Sequence, residues 1–200
     1  MDKPLLTQYE QTGRLPSEYW PQLQALKLVV FDVDGVLTDG CLVYGAQGEE
    51  LKHFNVKDGV ALKLLPKWGV HVAVITAKDS APLRKRMDDL GVTHFYPNCH
   101  DKKAAFLALL DALSLDASQA AYVGDDVIDL QVMPEVGMSF CPADAHVLVQ
   151  RHCVQHHCAC TLFSNAGEGV AREVCDLILA TRMPLEIAYD VATKPEFERK

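Results

Sequence analysis

The sequence predicts an α/β fold: a Rossmann-like, three-layer α/β/α architecture around a mainly parallel sheet. Three observations predict it. Short apolar runs at 28–31, 70–75 and 120–123 carry almost no polar residue, as strands buried on both faces require. Segments of helical spacing lie between them, and Gly69 and Gly91 stand where two of those segments end. The chain has 200 residues, 49% hydrophobic and 23% charged, which suits one domain with a full core.

The elements follow in order. Residues 1–24 are polar and read as an N-terminal arm with a short helix. Residues 27–32 form the first strand. Residues 41–44 and 50–54 flank Gly45-Ala46-Gln47-Gly48, the pattern of a β-hairpin. The spacing of Val60, Leu64 and Leu65 predicts a helix over 58–68. Strand 70–75, helix 80–90, strand 94–96, helix 102–113 and strand 120–123 continue the alternation. A short helix at 129–133, a strand at 137–141 and a late helix at 169–180 complete a core over 25–180. The tail, 181–200, is charged and expected to be mobile.

Composition excludes several functions. No apolar run approaches the ~18 residues that span a bilayer. The N-terminus lacks the charged start and apolar stretch of a secretory signal, so a cytoplasmic location is expected. Seven cysteines, an odd number scattered along the chain, suit reduced thiols. A net charge of −8 argues against a general nucleic-acid or membrane-surface binder. An anionic ligand would need a local basic pocket.

Chemistry concentrates where strands end. Leu28-Val29-Val30-Phe31 runs into Asp32-Val33-Asp34-Gly35. Two carboxylates at i, i+2 repel unless a metal or a shared proton relieves them. Thr76 follows the second buried strand, and Asp125 and Asp126 follow the strand at 120–123. Ligands of open α/β sheets bind outside the carboxyl ends of the strands, so three strands deliver polar groups to one edge.

Asp32-Val33-Asp34-Gly35, Thr76, Lys102 and Gly124-Asp125-Asp126-Val127-Ile128-Asp129, in that order, resemble the haloacid dehalogenase (HAD) superfamily of phosphotransferases over about 26–178. The resemblance implies that Asp32 attacks phosphorus and that Asp34 protonates the leaving oxygen, then takes a proton from water. It implies that Thr76 and Lys102 hold the phosphoryl group, and that Mg²⁺ sits on Asp32, the Asp34 backbone carbonyl and Asp125. Asp126 and Asp129 would support them, at least one by capping the next helix. Only one helix and one strand fit between Thr76 and Lys102, and only a hairpin and a helix between Asp34 and Thr76. There is no room for a cap domain. A neighbouring subunit would then exclude water, with the hairpin at 41–54 as its docking element.

Asp32 to Gly40, Gly48-Glu49-Glu50-Leu51-Lys52-His53-Phe54-Asn55-Val56-Lys57-Asp58-Gly59 and Tyr122 to Leu130 are similar, within that superfamily, to the capless 3-deoxy-D-manno-octulosonate 8-phosphate (KDO 8-phosphate) phosphatases. Ala143 to His146 and Val170 to Leu179 extend the likeness. It implies a homotetramer in lipopolysaccharide precursor synthesis. Asn55, Val56, Lys57, Asp58, Gly59, Lys63, Lys78 and Arg86, with Asp34 and Lys102, would bind a sugar-acid phosphate. Two departures stand out. Ala77-Lys78 replaces the usual Gly-Arg, which loses the bidentate fork for a carboxylate. Ala166-Gly167 replaces the usual double glycine. A phosphatase of a sialic-acid-type 9-phosphate, or of another sugar phosphate, is the alternative within the class. A non-catalytic HAD-like assembly subunit is the alternative outside it. The segment 152–160 holds three cysteines and three histidines but fits no standard zinc spacing, and reads as a thiol-rich surface or edge-strand stretch.

Overall fold

A computed structural model describes residues 1, 3–156 and 158–197, the side chain of Glu50 excepted. Helices α1 (Lys3–Gln11) and α2 (Trp20–Ala25) lead into strand β1 (Leu28–Phe31). An antiparallel hairpin follows, β2 (Val43–Gly45) and β3 (Gly48–Leu51). Next come α3 (Val56–Leu64), β4 (His71–Ile75), α4 (Ala81–Leu90), β5 (His94–Tyr96) and α5 (Lys102–Leu113). Strands β6 (Ala120–Val123) and β7 (Met138–Cys141), helix α6 (Val147–Gln155), strand β8 (Ala159–Thr161) and helices α7 (Val170–Arg182) and α8 (Leu185–Asp190) complete the order.

Six strands form one parallel sheet in the order β5-β4-β1-β6-β7-β8. Every residue of β1 and β6 is buried, as a sheet covered on both faces demands. Alternate side chains divide between the two layers. Leu28, Val30, Ala73, Ile75 and Tyr122 pack with Phe106 and Leu109 of α5 and Val149 of α6. Val29, Phe31, Val74 and Val123 pack with Leu62 of α3, Met87 of α4 and Val174 and Ile178 of α7. Each large side chain removed from water in this way contributes about 1.5–3 kcal/mol. No cap domain occurs among the described residues: the hairpin is the one insertion after β1.

The described parts of both terminal segments, including the tail expected to be mobile, pack on the core. Leu6, Tyr9, Leu15 and Leu23 from 1–24, and Ala188 and Phe197 from the C-terminal segment, all join the larger core. The Arg14 guanidinium lies 4.2 Å over the Phe163 ring. Helix α7 runs two residues past the expected 180, because Thr181 is still buried against the core. Residues 129–133, expected as a short helix, instead span the end of one 3-10 turn, Val127–Gln131, and the start of another, Met133–Glu135. The thiol-rich segment divides: His152 and Cys153 lie in the last turns of α6, and Ala159 and Cys160 enter the edge strand β8, while His157 lies outside the described residues. None of the seven cysteines is bridged.

Candidate active site

The order of strands places a topological switch at β1. The chain crosses from β1 to β4 on one side, and β6 joins β1 on the other. Asp32, Thr76 and Gly124-Asp125 follow the three central strands directly, so all emerge at the same carboxyl edge. The register aligns Phe31 with both Val74 and Val123.

Lys102 is the cation of this edge. It is the first residue of α5, whose N-cap Asp101 accepts from the Ala104 N–H at 2.9 Å. The Lys102 side chain is fully buried; Nζ lies 2.9 Å from Asp32 Oδ2 and 2.7 Å from Asp129 Oδ1. Asp129 also accepts from the Tyr122 hydroxyl at 2.8 Å and from the backbone N–H groups of Asp125 and Asp126, at 3.0 and 3.2 Å. Its two oxygens thus take four donors, close to their full capacity. Asp126 is exposed, and its carboxylate caps the 3-10 turn that follows by accepting from the Val127 N–H at 2.7 Å.

Asp32, Asp125 and Asp129 each offer an oxygen, all within 4.8 Å of one another, and no other such group of ligating side chains exists among the described residues. Asp32 Oδ1 and Asp125 Oδ1 are buried without a hydrogen-bond partner. Three carboxylates face the single ammonium of Lys102. Burial, then the Asp129 charge, pushes the Asp32 carboxyl up to about 7, although Lys102 pulls it down. Burial, then Asp129, Asp32 and Asp126, pushes Asp125 up to about 8. Burial works against the Lys102 ammonium, but Asp32 and Asp129 outweigh it and raise its pKa. A divalent cation on the two unpartnered oxygens would meet the excess charge and both orphaned acceptors. An all-oxygen donor set suits a hard ion such as Mg²⁺. Asp129, already saturated by donors, acts as the frame that orients Lys102 and the Asp125 loop.

The glycines of the site are steric necessities. Gly35 has φ +84°, and a Cβ there would sit 2.0 Å from Asp125 Oδ2. A Cβ on Gly124 would lie 2.4 Å from Asp129. Gly167, the glycine retained at 166–167, donates to the Val36 carbonyl at 3.1 Å and packs on the Thr38-Asp39 backbone.

The other candidates fall in three places. Thr76 is buried at the end of β4, its hydroxyl 3.4 Å from the Lys78 N–H, and Lys78 is exposed beside it. Asn55 caps α3 by accepting from the Lys57 N–H at 2.9 Å and donates to the Gly167 carbonyl at 3.1 Å. Val56 is exposed and Asp58 is buried. Asp58 accepts from the Arg172 N–H at 2.9 Å, and burial raises its carboxyl to about 6. Gly59 leaves room for the Arg86 guanidinium, which donates to the Asn55 carbonyl at 3.4 Å. Lys57 adjoins Gly169. An open cleft of about 470 Å³ lies here, lined by Asp39, His53, Asn55, Val56, Gly167 and Glu168. Lys63 is the exception. It lies near the far end of α3 and lines a different cleft with His71 and His94, the first residues of β4 and β5, at the amino edge of the sheet.

Two participants were not singled out from the sequence. Tyr122 holds Asp129; a tyrosine within a buried strand needs a hydroxyl partner, which was the available signal. Lys52, just after β3, forms ion pairs with Asp34 and Glu49, the latter at 3.2 Å, with its side chain fully buried. Only the i, i+3 spacing of Glu49 and Lys52 hinted at it.

No family model matches the chain. It is 43% identical over 163 residues to the 3-deoxy-D-manno-octulosonate 8-phosphate phosphatase of Yersinia pestis, covering 80% of this chain and 83% of that one. The crystal structure of a Yersinia pestis phosphatase of the same name superimposes with a TM-score of 0.79 at 40% identity, over 85% of this chain and 89% of the other. The Moraxella catarrhalis phosphatase, solved with magnesium, phosphate and KDO, matches with a TM-score of 0.77 at 32% identity, over 88% and 97%. This sequence therefore belongs, by identity along most of its length and by fold, to the family of 3-deoxy-D-manno-octulosonate 8-phosphate phosphatases.

Proposed function

We propose that the chain is a Mg²⁺-dependent phosphatase that hydrolyses KDO 8-phosphate to KDO and inorganic phosphate through an aspartyl-phosphate on Asp32. One observation carries the reading: Asp32, paired to buried Lys102, faces Asp125 with an unpartnered oxygen on each carboxylate. Leaving such charges buried and unused costs several kcal/mol, roughly, which argues against a non-catalytic assembly subunit.

Asp32 attacks phosphorus as the bond to the sugar oxygen breaks, and Asp34 gives that oxygen its proton. Water then attacks the phosphorus of the aspartyl-phosphate, Asp34 takes the water's proton, and Asp32 is freed. Lys102 and Thr76 balance charge on the phosphoryl oxygens. Mg²⁺, held by Asp32, the Asp34 carbonyl and Asp125, would supply Lewis-acid neutralisation of the same oxygens.

Asn55 to Gly59, Arg86 and Lys78 would receive the sugar acid. Lys63 stands apart from that cleft in its own protomer. Exposed Leu42, Val43, Tyr44 and Leu51 on the hairpin support a homotetramer that covers the open site, since apolar side chains so grouped mark association surfaces. No helix among the described residues is long and apolar enough to cross a membrane. A cytoplasmic place in lipopolysaccharide precursor synthesis completes the reading.

A specific observation keeps a second substrate in view. Lys78 is exposed two residues after Thr76 and brings a point charge where a guanidinium fork is usual. A nine-carbon sialic-acid-type 9-phosphate is the competing ester. Phosphate release from both esters, measured in parallel with Mg²⁺ and with Asp32→Asn as control, tests the reading. Preference for the eight-carbon acid, lost in the variant, is expected. Preference for the nine-carbon ester would move the substrate, and release from neither would overturn the function.

A further inference from the structure

We propose that Lys52 is the positioning residue of the acid-base step: it fixes Asp34 by one carboxylate oxygen and leaves the other free for the leaving group. The proposal rests on the phosphatase reading above.

The two oxygens of Asp34 have different surroundings. Oδ1 pairs with Lys52 Nζ and lies 3.4 Å from the Thr38 hydroxyl. Oδ2 is buried and has no hydrogen-bond partner. A carboxylate on a short side chain at a loop could rotate and offer either oxygen. An ammonium on Oδ1 stops that rotation and leaves Oδ2 as the atom that can give or take a proton. Lys52 is itself immobilised. Its side chain is fully buried, and Glu49, three residues earlier on the hairpin, pairs with it at 3.2 Å. Glu49 Oε1 has no hydrogen-bond partner beside this ion pair.

The placement also joins two parts of the fold. Asp34 lies in the loop after β1, whereas Glu49 lies in β3 and Lys52 just beyond it. The hairpin, an insertion with little core of its own, is tied to the catalytic loop by this pair. Its seating on the site therefore sets the geometry of Asp34. A misplacement of about 1 Å at a reacting group can cost roughly 10²-fold in rate.

When the phosphorus–oxygen bond breaks, its electron pair goes to the leaving oxygen. A sugar alkoxide needs the proton from Asp34 Oδ2. The 4-nitrophenolate of an aryl phosphate leaves without one. The test is single-turnover release of the leaving group from KDO 8-phosphate and from 4-nitrophenyl phosphate, at saturating Mg²⁺, in wild type and Lys52→Met. The variant should slow the sugar ester by about 10²-fold and the aryl ester by less than about five-fold, the scale of lost general-acid assistance. Lys52→Arg, which keeps a charged donor, should recover much of the sugar-ester rate. Glu49→Gln should shift the ratio the same way by a smaller amount, and it serves as the deciding variant if Lys52→Met does not fold. Equal losses on both esters, or no loss on either, would overturn the positioning role. A wild type that releases neither leaving group would instead overturn the phosphatase reading, and this proposal with it.

Discussion

The two edges of one sheet differ in a way that identifies the site. At the amino edge lies the larger cleft, about 630 Å³, lined by Lys63, Lys67, His71, Asp88, His94 and Phe197. At the carboxyl edge the concavity is smaller and more open, but Asp32, Asp125, Asp129 and Lys102 converge there. Both edges are charged. Among the described residues, only the carboxyl edge holds carboxylate oxygens that are buried, close together and unpartnered. Volume alone would choose the wrong edge. Unmet hydrogen-bonding capacity and excess charge, which cost free energy until a ligand arrives, choose the right one.

Substitutions at the two edges should have unequal effects. The largest effect belongs to Asp32→Asn, which should cut turnover by at least about 10⁴-fold. His71→Ala and His94→Ala, at the opposite edge, should leave kcat unchanged. Comparable losses from both edges in steady-state assays would erase the distinction.

Next is Lys102→Met. It strands Asp32 and Asp129 without their cation, and should lower the stability of the metal-free protein by about 3–5 kcal/mol. Chemical denaturation without Mg²⁺ measures this, and added Mg²⁺ should return part of the loss. Gly35→Ala comes third. A side chain at φ +84° that also collides with Asp125 should cost about 1–3 kcal/mol and weaken Mg²⁺ binding in calorimetry. If it binds Mg²⁺ as wild type does, Asp125 is not a ligand.

The pH dependence sharpens the same contrast. Asp32 and Asp125 stand at about 7 and about 8 in the folded, metal-free chain, above the roughly 3.9 of an unfolded aspartate. The folded state therefore binds more protons between those values. Its stability is fully present below about pH 4 as far as these groups are concerned, and falls as pH rises toward 8. Thermal melting across this range should show that fall without metal, and saturating Mg²⁺ should flatten or reverse it. A metal-free stability that rises toward pH 8 would contradict the crowding of carboxylates. The smallest effect is that of Tyr122→Phe, about 1 kcal/mol, because Asp129 keeps three other donors.

Much of the carboxyl edge was legible in the sequence. Four apolar residues before Asp32 predict a buried strand, and a charged residue at its end has to emerge where strands end. Asp125 follows by the same logic from Ala120 to Val123. Lys102 was reachable only through the family pattern, since a lysine in the first turn of a helix is commonly solvated and its burial here depends on carboxylates far away in sequence. The role of Asp129 was half visible. Its spacing suggested a cap, but its saturation by Tyr122, Lys102 and two backbone donors belongs to the folded turn. The position of Lys63 was not legible either: α3 starts at the carboxyl edge and ends at the other, so Lys63 lines the cleft with His71 and His94 rather than the one beside Asn55. Helix α6 was missed because Val147, Val149 and Val154 blur its pattern, since β-branched residues favour strands. The pairing of Lys52 with Asp34 was not readable, because the two lie 18 residues apart across a hairpin whose register the turn sets.

The most direct test of the central claim is acid-quenched turnover of ³²P-labelled KDO 8-phosphate with Mg²⁺, followed by peptide mapping of the label. A hydroxylamine-labile phosphate is expected on the peptide that contains Asp32, absent from Asp32→Asn. Label on any other residue, or turnover by Asp32→Asn that matches wild type, would contradict it.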